Sequence, residues 1–422
     1  MNKTLTLLAA LTAIVCNFSS LHAEPTQVRE WTAITGHKLE GKALQVSNGK
    51  VQFERENGSK LAVDLAKLSS EDQAFLKEHF SLLEAPNPSE ADLPAAGEPA
   101  DNLPHPLGEV IDNVQATEKW SYMLYLPKSL RKDEEYPVLF LMDPGGGNIK
   151  AVNRYLQGAE RNGWIIAHSK QSKNGFSQSQ VAIDAMIEHV TDELPIDENR
   201  MYTTGFSGGS RMAFNTAQKH KKIAGVIPCG AGGNPGSSKQ VVYGVCGTNC
   251  FNRSDMANSF RGIKSKDSVL RYFPGRHSWA NGELFEDAIT HLNGIFLIKN
   301  ARKYPEPHKR FLSQVMELVN QNQESNPMRA ILWTDYLQQR DQKPSGLETA
   351  HTKLSEDPAN LRYLEGLSGV HQFALDTFGD TEISAWKISE KQSTACLAEA
   401  TKYSDTPWAE ILEKMSEDAQ KF

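Results

Sequence analysis

The residues best suited to covalent chemistry lie in the segment Gly205-Phe206-Ser207-Gly208-Gly209. A strand pattern over residues 200–204 precedes this segment, and a helix pattern over residues 211–217 follows it. A serine in a glycine-flanked turn between a strand and a helix is typical of a nucleophile elbow, which exposes the hydroxyl above a sheet. A Cβ at Gly205 or Gly209 would clash with backbone in so tight a turn. The spacing therefore predicts Ser207 as a nucleophile.

Backbone N–H groups near this serine could hold a developing oxyanion. The N–H of Gly208 is one candidate, because it opens the helix that follows the serine. Asp143-Pro144-Gly145-Gly146 follows a buried-strand pattern, and a glycine-rich loop there could aim the N–H groups of Gly145 and Gly146 at a carbonyl oxygen. A phosphate-binding loop is less well supported, since no Gly-Lys-Ser/Thr follows these glycines.

A histidine stands where a general base would be useful. His277 follows the last strand pattern, residues 269–273, and precedes the last helix pattern of this region, residues 283–298. It comes after the serine in chain order, as the base does in hydrolases that carry a nucleophile elbow. We therefore predict that His277 accepts the proton of Ser207.

These residues need a sheet that brings strand ends together. Between residues 107 and 300, strand patterns alternate with helix patterns, which indicates a mostly parallel sheet covered by helices. Ligands bind at the carboxyl ends of such strands, and the candidate residues all follow strands. The predicted strands lie at 119–127, 136–142, 163–168, 200–204, 223–228, 241–245 and 269–273.

This domain resembles the α/β-hydrolase fold, and within it the secreted polyhydroxybutyrate depolymerases and feruloyl esterases. The resemblance rests on Tyr125-Leu126-Pro127, the 143–146 loop, the segment from Tyr202 to Ala213, and Gly275-x-His277-x-Trp279. It covers about 180 residues, from 119 to 298. It implies ester hydrolysis by acyl transfer, without a cofactor or a metal ion.

The third member of a Ser-His-acid triad is not at its expected place. The family usually has an aspartate about where Asn249 or Cys250 stands, after the 241–245 strand. The first carboxylate available is Asp255. Three alternatives remain open: Asp255 reaches His277, Asn249 orients the ring as a neutral partner, or no third member exists.

A small β module precedes this domain. Over residues 28–80, short alternating strands are separated by Asn48-Gly49 and Asn57-Gly58 and followed by a helix that starts near Ser69. This pattern predicts a compact barrel and resembles the SH3-like Sla homology domain 1 family, through Arg29-x-Trp31-Thr32 and the Leu68 to Leu76 ending. The resemblance implies a docking role with a protein or peptide ligand. Residues 81–106 are rich in Pro, Ala, Glu and Asp, which predicts an extended linker.

The first 23 residues have the pattern of a secretory signal peptide. Lys3 precedes a short apolar run, and Ala23 is a suitable cleavage site. We expect the mature protein to be periplasmic or secreted. The net charge of -7 and the absence of a basic run argue against nucleic-acid and anionic-membrane partners. No other segment is apolar enough for a membrane span.

Four cysteines follow the signal, at positions 229, 246, 250 and 396. One disulfide among the first three and a set of free buried thiols are equally compatible with the sequence.

Residues 301–422 show helix patterns only, which predicts a helical extension of antiparallel pairs that covers the hydrolase or binds a partner.

Two functional hypotheses follow. The first is a secreted serine hydrolase that cleaves a small-molecule or polymeric carboxylic ester. The second is a noncatalytic binding or adaptor protein at the cell surface or in the periplasm, which uses the β module and the helical extension. Peptidase activity is a third hypothesis, for which the sequence gives less support. A carboxylate within reach of His277 would favour the enzyme.

Overall fold

A computed structural model describes residues 26–34, 37–47, 50–55, 57–79, 103–234, 240–379 and 387–419. The predicted signal peptide and most of the predicted linker lie outside these residues. The chain divides into two compact units, Met1–Ala95 and Ala96–Phe422.

The first unit is a four-stranded antiparallel sheet with one helix. Its strands pair in chain order, and the register of Ser47 opposite Lys50 agrees with a tight hairpin, although Asn48 and Gly49 lie outside the described residues. Trp31 is fully buried at its centre and donates from Nε1 to the Gly41 carbonyl, 2.8 Å away. The elements are β1 Arg29–Thr32, β2 Lys38–Ser47, β3 Lys50–Glu54, β4 Lys60–Asp64, a 3-10 turn at Leu65–Lys67, and α1 Ser70–His79.

The second unit is built on an eight-stranded sheet. Its strands are β5 Val110–Gln115, β6 Ser121–Tyr125, β7 Tyr136–Met142, β8 Ile165–Ser169, β9 Ile196–Phe206, β10 Ile223–Cys229, β11 Val241–Gly247 and β12 Val269–Phe273. The order across the sheet is β12-β11-β10-β9-β7-β8-β6-β5. Strand β6 runs antiparallel to both of its neighbours, β5 and β8, and the other adjacent pairs are parallel. This mostly parallel arrangement confirms the expected α/β-hydrolase fold.

The central strand β7 shows why its sequence is continuously apolar. Val138, Phe140 and Met142 face one core, and Leu139 and Leu141 face a second core on the other side of the sheet. Both faces are covered by helices, so alternation with polar residues is absent. The edge strand β5 was not predicted, because half-exposed residues of mixed polarity give it no clear pattern.

Helices cover both faces of the sheet. Ala213 of α5 and Met256 of α6 contribute to the core that holds Phe140, whereas Ala159 of α3 and Phe285 of α7 contribute to the other. The bounds are α2 Ile149–Asn153, α3 Leu156–Asn162, α4 Ser179–Glu193, α5 Gly208–Lys219, α6 Arg253–Arg261 and α7 Gly282–Lys299.

The C-terminal third is helical, as predicted, and belongs to the same compact unit as the sheet. Helix α8 packs on α7 and α9, α11 packs on α6, and α12 pairs with α13. Four of these helices begin with proline, which needs no hydrogen-bond acceptor in the first turn. The bounds are α8 Pro305–Asn322, α9 Pro327–Gln338, α10 Leu347–Ser355, α11 Pro358–Phe378, α12 Glu390–Lys402 and α13 Pro407–Met415.

Candidate active site

Ser207 lies in a strained turn between β9 and α5. Its φ of 52° and ψ of -115° are unusual for a residue with a side chain. A Cβ added to Gly205 would come within 2.5 Å of the Met142 carbonyl oxygen, and one added to Gly209 within 2.2 Å. The glycines therefore allow the turn to press against the end of β7, which holds the serine at the carboxyl edge of the sheet.

His277 lies directly beside this serine. It follows β12, and its Nε2 is 2.8 Å from the Ser207 Oγ. The rings of Phe206 and Phe251 lie against the imidazole, with centroids 4.7 and 4.1 Å from its own. Two residues that are 70 positions apart are thus joined by a hydrogen bond in the geometry of a nucleophile and its base.

The other ring nitrogen of His277 contacts a cysteine. The Sγ of Cys250 is 3.1 Å from Nδ1, on the loop that follows β11. The backbone N–H of Cys250 donates to the Gly247 carbonyl over 3.0 Å, which closes a tight turn and directs the thiol at the ring. Cys250 is fully buried. It occupies the place of a triad acid, at one of the two positions where an aspartate was expected.

The structure corrects the expectation for Asp255. This residue lies in the first turn of α6, and its carboxylate accepts from Arg211 Nη2 at 2.8 Å and from the Gly232 N–H at 3.0 Å. The Asn249 amide also points elsewhere, since it donates to the carbonyl of Lys414. These hydrogen bonds direct both side chains to partners other than the His277 ring.

The four cysteines are free thiols, and all are buried. Burial raises the pKa of Cys229 to about 12 and that of Cys246 well above its usual value. Cys250 differs: the neighbouring Cys246 and His277 side chains lower the pKa of Cys250 to about 6, against the opposing effect of burial. These neighbours therefore favour the thiolate form of Cys250, unlike that of the other three cysteines.

The predicted oxyanion donors differ in availability. Gly208 is the first residue of α5, so its N–H has no acceptor within the helix. In contrast, the Gly145 N–H donates to Asp143 Oδ1 at 2.8 Å, and the Gly146 N–H donates to the Asp143 carbonyl at 3.0 Å. The glycine loop thus satisfies its own donors through Asp143.

A cavity of about 460 Å³ lies away from these residues. Its lining includes Glu198 at the start of β9 and Lys219 at the end of α5, whereas Ser207 joins the other ends of both elements. Its Asp184 carboxylate is bonded to Lys219 and His220. Because these charges satisfy one another, we assign this cavity no catalytic role.

Within the described ranges, no three His, Cys, Asp or Glu side chains are grouped to hold a metal ion. Over the same ranges, every helix is too short or too polar to cross a bilayer.

Comparisons with known proteins find one family model and a set of solved structures that are similar to parts of this chain. The family model for SLA1 homology domain 1 matches residues 19–82. A search of curated proteins finds no match. Solved structures that are similar to part of this chain include FphF, a fluorophosphonate-binding serine hydrolase from Staphylococcus aureus, with 14% identity and a TM-score of 0.37 over 44% of this chain and 99% of that one.

Two further matches have esterase names. Est1E from Butyrivibrio proteoclasticus is 13% identical, with a TM-score of 0.33 over 43% of this chain and 95% of that one. A ferulic acid esterase is 16% identical, with a TM-score of 0.32 over 43% and 93%. Structural similarity at this level gives no information about the substrate, and the proposed function therefore rests on the geometry of the site.

Proposed function

We propose that this protein is a serine hydrolase that cleaves carboxylic esters, with Ser207, His277 and Cys250 as its triad. The observation that carries the proposal is the 2.8 Å hydrogen bond between His277 Nε2 and Ser207 Oγ, formed by a serine in a strained elbow. Strain of this kind persists where the surrounding structure imposes it, and it is concentrated at functional sites.

The residues suggest an acyl-transfer mechanism. His277 Nε2 takes the hydroxyl proton as Ser207 Oγ adds to the ester carbonyl, and the Gly208 N–H donates to the oxygen that becomes negative. The Cys250 thiolate accepts from Nδ1–H, which fixes the ring tautomer and stabilises the imidazolium. His277 then protonates the departing alcohol, and water releases the acid by the same steps.

The triad can be tested with a fluorophosphonate probe on the purified protein. We expect covalent labelling of the wild type and none of Ser207→Ala. Ser278→Ala is a matched control, because Ser278 is an exposed serine one residue from His277, and it should label normally. A folded wild-type protein that is neither labelled nor able to hydrolyse short p-nitrophenyl esters would contradict the proposal.

The binding-protein alternative keeps one supporting observation, which is that the partner of His277 is a thiol and not a carboxylate. In that case Ser207→Ala would change nothing measurable, and the functional surfaces would be the N-terminal module or the C-terminal helices. The probe experiment separates the two functions.

We also propose export and a docking role for the N-terminal module. The export signal is the pattern in residues 1–23, and the mature chain should start at Glu24, which intact mass spectrometry checks.

The docking role of the N-terminal module is supported by the exposed apolar side chains of Val28 and Ile34. Deletion of the module should leave ester hydrolysis unchanged if its role is docking.

A further inference from the structure

Oxyanions in ester hydrolysis are commonly held by two donors, and of the three N–H groups predicted for this role, among the described residues only that of Gly208 has no acceptor. The expected second donors, Gly145 and Gly146, are both bonded to Asp143. The next N–H in the loop, that of Gly147, donates to the Lys170 carbonyl at 3.2 Å. Pro144 has no N–H to give.

A side chain from the neighbouring loop lies beside Gly208. Asn174 follows β8, and its backbone N–H donates to the Pro144 carbonyl at 2.9 Å, which ties it to the glycine loop. A Cβ added to Gly208 would come within 1.8 Å of Asn174 Oδ1, 2.7 Å of Cγ and 3.0 Å of Nδ2. The amide therefore packs directly on the residue after the nucleophile, and only glycine leaves room for it.

This amide is available for a ligand. The Asn174 side chain makes no hydrogen bond to the described part of the chain, and it is exposed. Its two N–H donors are therefore unsatisfied by protein. A half-turn of the terminal torsion exchanges Oδ1 and Nδ2 without moving the backbone, so either atom can face the site.

We propose that the Asn174 side-chain amide is the second oxyanion donor of this enzyme, an inference that rests on the hydrolase function proposed above. When Ser207 Oγ bonds to the carbonyl carbon, the carbonyl π electrons move to oxygen and the serine proton moves to His277 Nε2. Asn174 Nδ2–H and the Gly208 N–H donate to that oxygen. When the carbonyl re-forms, the alcohol leaves with the proton from His277.

The test is the steady-state hydrolysis of p-nitrophenyl acetate by the full chain. Asn174→Ala should lower kcat by about 10²- to 10³-fold with little change in KM, as the loss of one oxyanion donor does elsewhere. Asn174→Asp keeps the shape of the side chain but removes its N–H donors and adds a negative charge, so its kcat should be no higher than that of Asn174→Ala. Gln178→Ala removes another exposed amide from the same chain segment and should match the wild type.

The outcomes separate the two levels of the proposal. If the wild type shows neither turnover nor labelling, the hydrolase function and this inference both fail. If the wild type is active and a folded Asn174→Ala stays within about twofold, the inference alone is overturned. A structural role is distinguished by Asn174→Asp: if the isosteric variant recovers wild-type kcat, the side chain only supports the loop, and the inference is also overturned.

Discussion

At the scale of single residues, the unusual feature is a thiol at the place of a carboxylate. A cysteine has an ordinary pKa near 8.5 and would be mostly neutral at pH 7. Here the neighbouring Cys246 and His277 side chains lower the pKa of Cys250, whereas burial raises the pKa of Cys246. Two buried cysteines together can thus provide one negative charge beside His277.

Replacement of Cys250 tests this charge. Cys250→Ala should lower kcat/KM strongly, up to the roughly 10⁴-fold that an acid-to-amide change costs in a serine protease. Cys250→Asp should keep more activity than Cys250→Ala, because it restores an anion at the same place. Kinetics on short esters measures both, and equal activity of the alanine variant and the wild type would remove Cys250 from the mechanism.

The pH profile tests the pair of cysteines. Since the thiolate of Cys250 exists above a pKa of about 6, activity should rise as the pH increases through this value. Cys246→Ala removes the donor that lowers this pKa, so the acidic limb of kcat/KM should move to higher pH. Cys246→Ser keeps a hydrogen-bond donor at this position and should move the acidic limb less than Cys246→Ala does. An unchanged limb in Cys246→Ala would show that Cys250 does not titrate in this range.

At the scale of elements, the loop that carries Cys250 is held by the C-terminal helices. The buried guanidinium of Arg253 donates from Nη1 to the Thr248 and Met415 carbonyls, at 2.9 and 3.1 Å, and from Nη2 to the Glu417 carbonyl at 3.0 Å. The Asn249 amide donates to the Lys414 carbonyl at 2.9 Å. The end of α13 and the residues just after it therefore hold the loop that carries Cys250.

Arg253→Lys should loosen this loop, because one ammonium group cannot reproduce the planar set of three hydrogen bonds. We expect kcat/KM to fall by about tenfold or more, since small displacements of catalytic groups are costly. In a protein that already carries Cys250→Ala, Arg253→Lys should lower kcat/KM much less, because the thiol that Arg253 positions is then absent. Arg302→Lys, at an exposed position, is the control. Equal losses in both backgrounds would indicate general destabilisation.

At the scale of the whole second unit, a buried ion network joins the hydrolase to its helical extension. Arg329 of α9 bonds Glu286 and Asp287 of α7, each at 2.7 Å from Nη2. Arg161 of α3 bonds the other Glu286 oxygen at 2.7 Å, and Trp333 donates to Asp287 at 3.1 Å. These contacts make the extension part of one folding unit.

Arg329→Met should lower the free energy of unfolding by about 3–5 kcal/mol, because it leaves the buried Asp287 carboxylate without its cation and Glu286 with Arg161 alone. Urea denaturation at pH 7 measures this loss. Adding Asp287→Asn should recover part of it, since one uncompensated charge is then removed. The kcat of the folded variant should be close to that of the wild type. A loss below about 1 kcal/mol would show that the network adds little to stability.

The sequence by itself determined the fold class and predicted that Ser207 and His277 both follow strands of one sheet. Gly-x-Ser-x-Gly between a strand and a helix allows few other backbone paths, and strands followed by chemically useful residues must end at one edge of a parallel sheet. The local sequence pattern was enough to single out Ser207 and His277, because each residue directly follows a recognisable strand pattern. The same is true of the helical extension, whose caps and prolines are local signals.

The tertiary structure alone decided which side chain contacts His277 Nδ1 and which N–H groups of the glycine loop are already bonded. Asp255 was favoured because a carboxylate is the chemically ordinary choice, but the 247–250 turn and the contact with Arg211 direct it away from the ring. The one available signal was that Cys250 occupies a position where an aspartate is usual. Gly145 and Gly146 were named from loop composition, which does not show where N–H groups donate. Whether a donor is free and whether a thiol is ionised both depend on neighbours distant in the chain, and only packing brings those neighbours together.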